Sequence, residues 1–184
     1  MELLSGLLSS LGLSGAAGLN AYIPLLLVGL LARSGVMTLA APYDLLASPW
    51  VLLGIAVVGA LDFVGDKIPG VDHALHLLGS VVSTAAGAIL FASQAGLAEV
   101  PPGVSLALGL MVAGGVHATR TAVRPVATAT TGGLANPVVS TAEDGLSLGL
   151  SLLAVFVPAL AAALLVGIVL LAYRLWARVR RRAP

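Results

Sequence analysis

The chain lacks cysteine altogether and has few charged residues. Without cysteine, neither a disulfide framework nor a thiolate metal site can form in its 184 residues. Charged residues make up 9% of the sequence, whereas a soluble globular domain has roughly 25%. So few charges cannot cover a water-exposed surface, which excludes an ordinary soluble domain.

Apolar residues dominate what is present, at 59% of the chain. A helix needs roughly 20 apolar residues to cross the hydrocarbon of a bilayer. The length therefore fits one integral membrane domain, residues 1–184, of about five to six spanning or partly spanning helices. We predict an all-α fold, a polytopic transmembrane helical bundle with broken or re-entrant segments.

The two ends of the chain differ in charge. The apolar start carries Glu2 and no basic cluster, which does not match a cleaved secretory signal. By the positive-inside rule, the other end, residues 174–184, is a basic cytoplasmic tail of a multi-pass inner (plasma) membrane protein. Binding of anionic lipid head groups is the alternative role of this tail. Its five arginines are Arg174, Arg178, Arg180, Arg181 and Arg182.

Many of the remaining ionisable residues gather in two polar stretches, residues 65–76 and 117–144. These stretches hold all three histidines and the only lysine. Outside the tail, four basic residues face eight acidic ones, a balance that favours a cation pathway. Ionisable residues among membrane-length apolar segments are costly, so they indicate a functional site.

Apolar runs between breakers give the expected helices. The segment 3–13 is too short to cross the bilayer and is expected to be re-entrant or interfacial. The last apolar run is longer than the bilayer is thick, so we expect a break near Gly145 or a portion outside the membrane. The predicted helical runs are 17–31, 50–64, 71–92, 104–116 and 137–173.

Polar residues interrupt the fourth of these helices and begin the next one. His117, Arg120 and Arg124 are spaced to share one helical face. The stretch 128–137 is too polar and too rich in glycine for a lipid-facing helix, so we expect irregular backbone there. Within it, Asn136 followed by Pro137 is typical of a helix start.

A weak internal repeat relates the two halves of the chain. Residues 15–20 and 131–137 each combine small residues with an Asn ahead of an apolar helix, and acids follow in both halves. Paired interrupted helices of this kind indicate a transporter site near the bilayer midplane, at the interface of an inverted repeat. Chance similarity in a chain rich in Gly, Ala and Leu is the competing explanation.

The histidines and glycines admit several roles. His73 and His76 lie one helical turn apart beside Asp72, a set that suits zinc binding, a proton relay or ordinary hydrogen bonding. The sequence leaves metal binding open, and no cofactor is predicted. Several glycines favour close helix packing, including a homo-oligomer interface. They are Gly79, Gly87, Gly109, Gly114 and Gly115.

Three motifs resemble those of a known family. They are GLNAYIP at 18–24, DKIPGVD at 66–72 and TGGLANP at 131–137, the last followed by Ser140 and the pair Glu143 and Asp144. Over most of its length the chain is similar to small bacterial membrane proteins grouped as domain of unknown function 4126. The resemblance implies a compact multi-helix membrane domain and no particular activity.

Polar motifs at helix breaks predict a transporter or channel for a small ion or polar solute. The expected partners are the bilayer, that ion or solute and further copies of the chain, with no nucleic acid. The alternatives are an intramembrane enzyme or binding protein acting on a lipid phosphate head group, and a structural membrane protein. An enzyme is disfavoured because no activated Ser arrangement stands out. The predicted ion- or substrate-binding residues, none of them catalytic, are Asn20, Asp62, Asp66, Lys67, Asp72, His73, His76, His117, Arg120, Arg124, Thr131, Asn136, Glu143 and Asp144.

Overall fold

The chain folds as an all-α bundle. A computed structural model describes residues 2–65, 72–97, 99–131 and 136–182. These ranges contain no β-strand, only a single bridge between Leu39 and Gln94. The predicted fold class is therefore confirmed. Within the same ranges the α-helices are α1 (Glu2–Leu19), α2 (Tyr22–Arg33), α3 (Pro49–Gly65), α4 (Asp72–Ala92), α5 (Pro102–Thr131), α6 (Asn136–Phe156) and α7 (Pro158–Arg182), with short 3₁₀ helices at Tyr43–Ala47 and Ala95–Leu97.

Proline sets the beginning of several helices. Pro49, Pro102 and Pro158 each stand at the first position of a helix. The first-turn N–H groups of a helix have no partner inside the helix, so proline loses nothing there. Asn136 and Pro137 are the first described residues of α6, and residues 132–135 lie outside the described residues, so the helix start predicted at this pair stays a prediction.

Among the described residues, three helices are long and apolar enough to cross a membrane: Glu2–Leu19, Pro102–Ala122 and Pro137–Phe156. Shorter apolar helices accompany them, such as Tyr22–Arg33 and Pro49–Gly65. Helices of this composition associate with membranes, because an apolar surface of this extent is not stable in water.

Helix α1 lies at the centre of the bundle and packs against α4, α5, α6 and α7. Its buried face consists mainly of Ser, Gly and Ala. A Cβ atom at Gly12 would lie 2.7 Å from the Cβ of Ala154 and 2.9 Å from that of Ala161. At Gly18 it would lie 2.6 Å from the carbonyl oxygen of Ala113. Small residues therefore let four helices approach the backbone of α1 closely.

Contacts with α1 show that α4 is antiparallel to it and α5 is parallel. On α4, the carbonyl of Phe91 accepts from Ser10, and a Cβ at Gly87 would lie 2.9 Å from the Oγ of Ser14, so the partner number falls as α1 advances. Ser14 donates to the carbonyl of Gly109 on α5. Further along α1, the carbonyl of Leu19 accepts from Arg120, so on α5 the partner number rises.

The last two helices reverse direction sharply at Val157. Ala154 on α6 and Ala161 on α7 both contact the Gly12 position. Further along α1, the carbonyl of Ala16 accepts from Ser147 of α6, whereas Gly15 faces Leu165 of α7. Helix α6 is therefore antiparallel to α1, and α7 is parallel to it.

Helices α2 and α3 form an antiparallel pair at the side of this bundle. A Cβ at Gly29 would meet Leu52 of α3, and one at Gly59 would meet Tyr22 at the start of α2. The connection between the two helices returns to the far end of α4, where the N–H of Ala40 donates to the carbonyl of Ser93. In the part of the chain that the structure describes, the seven α-helices thus run alternately up and down.

The structure corrects several predicted boundaries. Residues 3–13 are not a separate re-entrant segment, because they belong to the continuous helix α1. The predicted run 17–31 is broken at Asn20, and the run 137–173 is broken at Val157, not near Gly145. Residues 128–131 are helical, since α5 continues past Pro125 instead of becoming irregular. The runs 50–64 and 71–92 correspond to α3 and α4, with Val71 outside the described residues.

Candidate functional site

Asn20 interrupts the helical run between α1 and α2. Its side-chain Oδ1 accepts hydrogen bonds from the backbone N–H groups of Tyr22 at 2.9 Å and Ile23 at 3.2 Å. Ala21 already has helical dihedral angles, so Asn20 stands in the capping position of α2. The side chain thereby satisfies two first-turn N–H groups that have no partner inside the helix.

Pro24 leaves the carbonyl of Asn20 open to another donor. In a continuous helix that carbonyl would accept from the N–H of residue 24, and proline has none. The hydroxyl of Ser147 on α6 instead lies 3.3 Å from this oxygen and 2.9 Å from the carbonyl oxygen of Ala16. Ser147 is fully buried, so this contact joins α6 to the break in a region without bulk water.

Arg120 binds the carbonyl end of α1. The N–H of Ile23, which would complete the helical bond to the Leu19 carbonyl, donates to Asn20 Oδ1. The guanidinium Nη1 of Arg120 donates to the Leu19 oxygen at 2.6 Å, and its Nε donates to Glu143 Oε2 at 2.8 Å. The partial negative charge at a helix C-terminus favours a cation in this position.

The ion pair between Arg120 and Glu143 is largely shielded from solvent. The side chains are 15% and 12% exposed, respectively. Asp144, the next residue of α6, accepts a 2.8 Å hydrogen bond from the side-chain Nδ2 of Asn20. We call the set Leu19, Asn20, Arg120, Glu143, Asp144 and Ser147 the junction cluster. It ties the α1–α2 break to α5 and α6.

The structure thus brings together four of the predicted site residues, Asn20, Arg120, Glu143 and Asp144. Ser147 is a fifth polar member that the sequence prediction missed. A signal for it exists, because Ser147 follows Asp144 by three residues and shares its helical face.

Two further predicted residues lie close to this end of the bundle. His117 is buried on α5, one helical turn before Arg120. Asp62 is half-buried near the end of α3, three residues beyond Gly59, where α3 meets Tyr22. Each forms interactions of its own.

The remaining predicted residues cannot be placed in the site. Asp66 and Lys67 lie outside the described residues. The prediction that residues 65–76 and 117–144 form one shared polar site stays a prediction. Among the side chains described, no three His, Asp or Glu form a group that could hold a metal ion. The residues whose helical backbone is described, but whose side chains are not, are Asp72, His73, His76, Arg124, Thr131 and Asn136.

The junction cluster lies nearer one end of the bundle than its middle, where the repeat interpretation placed the site. Gly15 of α1 faces Leu165 of α7. From this level, Asn20 is about 7.5 Å further along α1 and Tyr173 is about 12 Å further along α7, at 1.5 Å per residue. Tyr173 and Arg174 are exposed and follow the apolar part of α7. The cluster is therefore about one helical turn inside the level of these residues.

Comparison with known proteins identifies the family. The family described as Domain of unknown function (DUF4126) matches residues 7–178. The chain belongs to this family. No curated protein and no solved structure matches the chain.

The match to the DUF4126 family includes every residue of the junction cluster. The family description names no activity, substrate or partner. The chemistry of the site therefore follows from the cluster itself, in which one guanidinium, two carboxylates and the backbone carbonyls of Leu19 and Asn20 meet at a helix break.

Proposed function

We propose that this DUF4126 protein is a transporter or channel for a small ion or polar solute, with the junction cluster as part of its polar pathway. In this proposal it is a multi-pass protein of the inner membrane with its arginine-rich C-terminus in the cytoplasm. The helix break at Asn20 is the observation that carries the proposal. Irregular backbone and ionisable side chains inside apolar bundles are costly, and transporters use them to bind ions and solutes.

Two features of the cluster support this function over a purely structural role. A buried ion pair such as Arg120 with Glu143 is weak evidence for stability, because apolar replacements are often as stable. The break also exposes the carbonyl end of α1 to side chains of two other helices. Discontinuous helices present backbone carbonyls to cations in the same manner.

Flux through proteoliposomes tests the proposal. The purified full-length protein is reconstituted, and influx is measured across a panel of small cations, anions and polar solutes. We expect flux of at least one of these above that of empty liposomes. Asp144→Asn and Glu143→Gln are expected to reduce it about ten-fold or more, because hydrogen bonds to charged groups contribute about 1.5–3 kcal/mol.

Matched controls use acids outside the cluster. Asp44 and Glu99 are exposed, so Asp44→Asn and Glu99→Gln make the same chemical changes away from the junction. Both controls are expected to retain wild-type flux. Wild-type flux equal to that of empty liposomes across the whole panel would reject the proposal, and equal losses in all four variants would reject the cluster as the pathway.

A further inference from the structure

The backbone groups that the end of α1 and the break at Asn20 present to the other helices are acceptors. The carbonyl oxygens of Ala16, Leu19 and Asn20 all receive hydrogen bonds from side chains of other helices. These oxygens are at the C-terminal end of α1, where the aligned peptide dipoles sum to about half a negative charge. This end of α1 therefore attracts positive charge.

At the opposite pole, the start of α2, two N–H groups are already bonded within the chain. The N–H groups of Tyr22 and Ile23 donate to Asn20 Oδ1, and Pro24 has no N–H. An anion would need such N–H groups as donors. At the break, the negative C-terminal end of α1 therefore faces the cluster, whereas the positive N-terminal end of α2 is capped by Asn20.

The net charge of the cluster's side chains is negative, like that of the C-terminal end of α1. Glu143 and Asp144 supply two carboxylates and Arg120 supplies one guanidinium, so the ionised cluster has one excess negative charge. The guanidinium occupies the position between the Leu19 carbonyl and the Glu143 carboxylate. Carbonyl and carboxylate oxygens are also the ligands of hard inorganic cations.

We propose that the junction cluster binds a small inorganic cation, and that Arg120 is a tethered cation which competes with it for the Leu19 carbonyl and the Glu143 carboxylate. This inference rests on the proposed function and names the class of ligand. Its distinctive consequence is that loss of the Arg120 charge strengthens cation binding. If Arg120 instead bound an anion or had a structural role alone, loss of its charge would not strengthen cation binding.

Thermal unfolding of the full-length protein in detergent tests this competition. Sodium, potassium, magnesium and calcium chlorides are compared with choline chloride at equal ionic strength. Arg120→Gln is expected to unfold at a lower temperature than wild type in choline, because the ion pair between Arg120 and Glu143 is lost. At least one inorganic cation is expected to restore stability, with a midpoint about ten-fold lower in concentration than for wild type.

Two variants serve as controls. Arg33→Gln removes an exposed arginine that also donates to a backbone carbonyl, that of Ala47, and is expected to leave the cation response unchanged. Glu143→Gln is expected to lose the response, because it removes a proposed ligand. If Arg120→Gln does not fold, the comparison of wild type with Glu143→Gln tests the cation site instead. A cation response in wild type that Glu143→Gln lacks supports the site, and equal responses overturn it.

The outcomes separate this inference from the transport proposal. If Arg120→Gln is equally stable in choline and in all four inorganic cations, the cation site is overturned. This conclusion does not depend on the result of the flux measurement. If the unfolding temperature instead rises when the anion is changed and choline remains the only added cation, the cation site is also overturned. A cation response without flux leaves the site in place and rejects transport.

Discussion

A single amide side chain does two jobs at the helix break. The oxygen of Asn20 accepts from two backbone N–H groups of α2, and its nitrogen donates to Asp144. Among side chains only Asn and Gln combine a carbonyl acceptor with an NH₂ donor, and of these Asn is the preferred helix cap. Asn20 can therefore cap one helix and hold a carboxylate of another.

Replacement of Asn20 separates these two roles. Asn20→Ala loses both the cap and the bond to Asp144, and we expect it to lower the free energy of unfolding by about 2 kcal/mol. Asn20→Asp keeps a capping oxygen but puts a second carboxylate against Asp144, so it is also expected to destabilise. Unfolding in detergent at neutral pH measures both. An Asn20→Asp variant as stable as wild type would contradict the assigned bond to Asp144.

Two buried serines of α6 form a matched pair. Ser147 donates to carbonyls of α1 and of the break, whereas Ser151 donates to the carbonyl of Ser147 in its own helix. Both are fully buried. Ser147→Ala is expected to cost about 1 kcal/mol more than Ser151→Ala in unfolding free energy, because it removes the donor that joins α6 to the carbonyls of Ala16 and Asn20. Equal losses in the two variants would indicate that the Ser147 contact contributes little.

At the scale of the helix, glycine composition predicts close packing but not where it occurs. Gly87 and Gly109 lie where α4 meets α5, and the packing predicted for them is confirmed. Gly79 and Gly115 have no atom within 4 Å of the added Cβ position, and Gly114 meets only Thr84 at an ordinary contact distance. A homo-oligomer interface at the open glycines stays a prediction.

Alanine substitutions on α5 test this difference within one helix. A Cβ at Gly109 would lie 2.6 Å from both the Cα of Ala88 and the carbonyl oxygen of Gly87, and backbone atoms cannot easily move away. Gly109→Ala is expected to cost about 1–3 kcal/mol in unfolding free energy. Gly115→Ala is expected to be neutral or stabilising, since alanine exceeds glycine in helix propensity by about 1 kcal/mol.

The two variants are compared by the temperature, or the concentration of denaturing detergent, at which half of the protein is unfolded. The prediction is contradicted if Gly109→Ala unfolds at the same point as Gly115→Ala. Circular dichroism of the folded state confirms that both variants keep wild-type helix content, so that the comparison concerns packing alone.

At the scale of the whole molecule, the alternating helices place two exposed charged residues at opposite ends. Asp44 follows α2 near the end of the bundle at which α1 begins, and Arg178 lies at the far end of α7. Both are exposed. If the bundle crosses a membrane, these two residues face opposite sides of it.

The absence of cysteine makes this prediction simple to test. Single-cysteine variants Asp44→Cys and Arg178→Cys have no background thiol. In sealed right-side-out membrane vesicles, an impermeant maleimide is expected to label Asp44→Cys directly and Arg178→Cys only after permeabilisation. Labelling of both variants from the same side would contradict the alternating arrangement across the membrane.

Composition and local pattern determined the fold class and several boundaries. The scarcity of charge and the apolar runs were sufficient for an all-α bundle, because an apolar helix satisfies its own backbone hydrogen bonds. The family motifs likewise identified Asn20, Glu143 and Asp144 as a group worth locating.

Only the tertiary structure decided which polar residues meet. Asn20 and Asp144 are 124 positions apart, and no local rule could pair Asn20 with Asp144 or Arg120 with the Leu19 carbonyl. The break at Val157 was missed for a related reason, because hydropathy does not change where an apolar chain reverses direction. A sequence fixes which groups need partners, whereas packing around α1 selects those partners from distant helices.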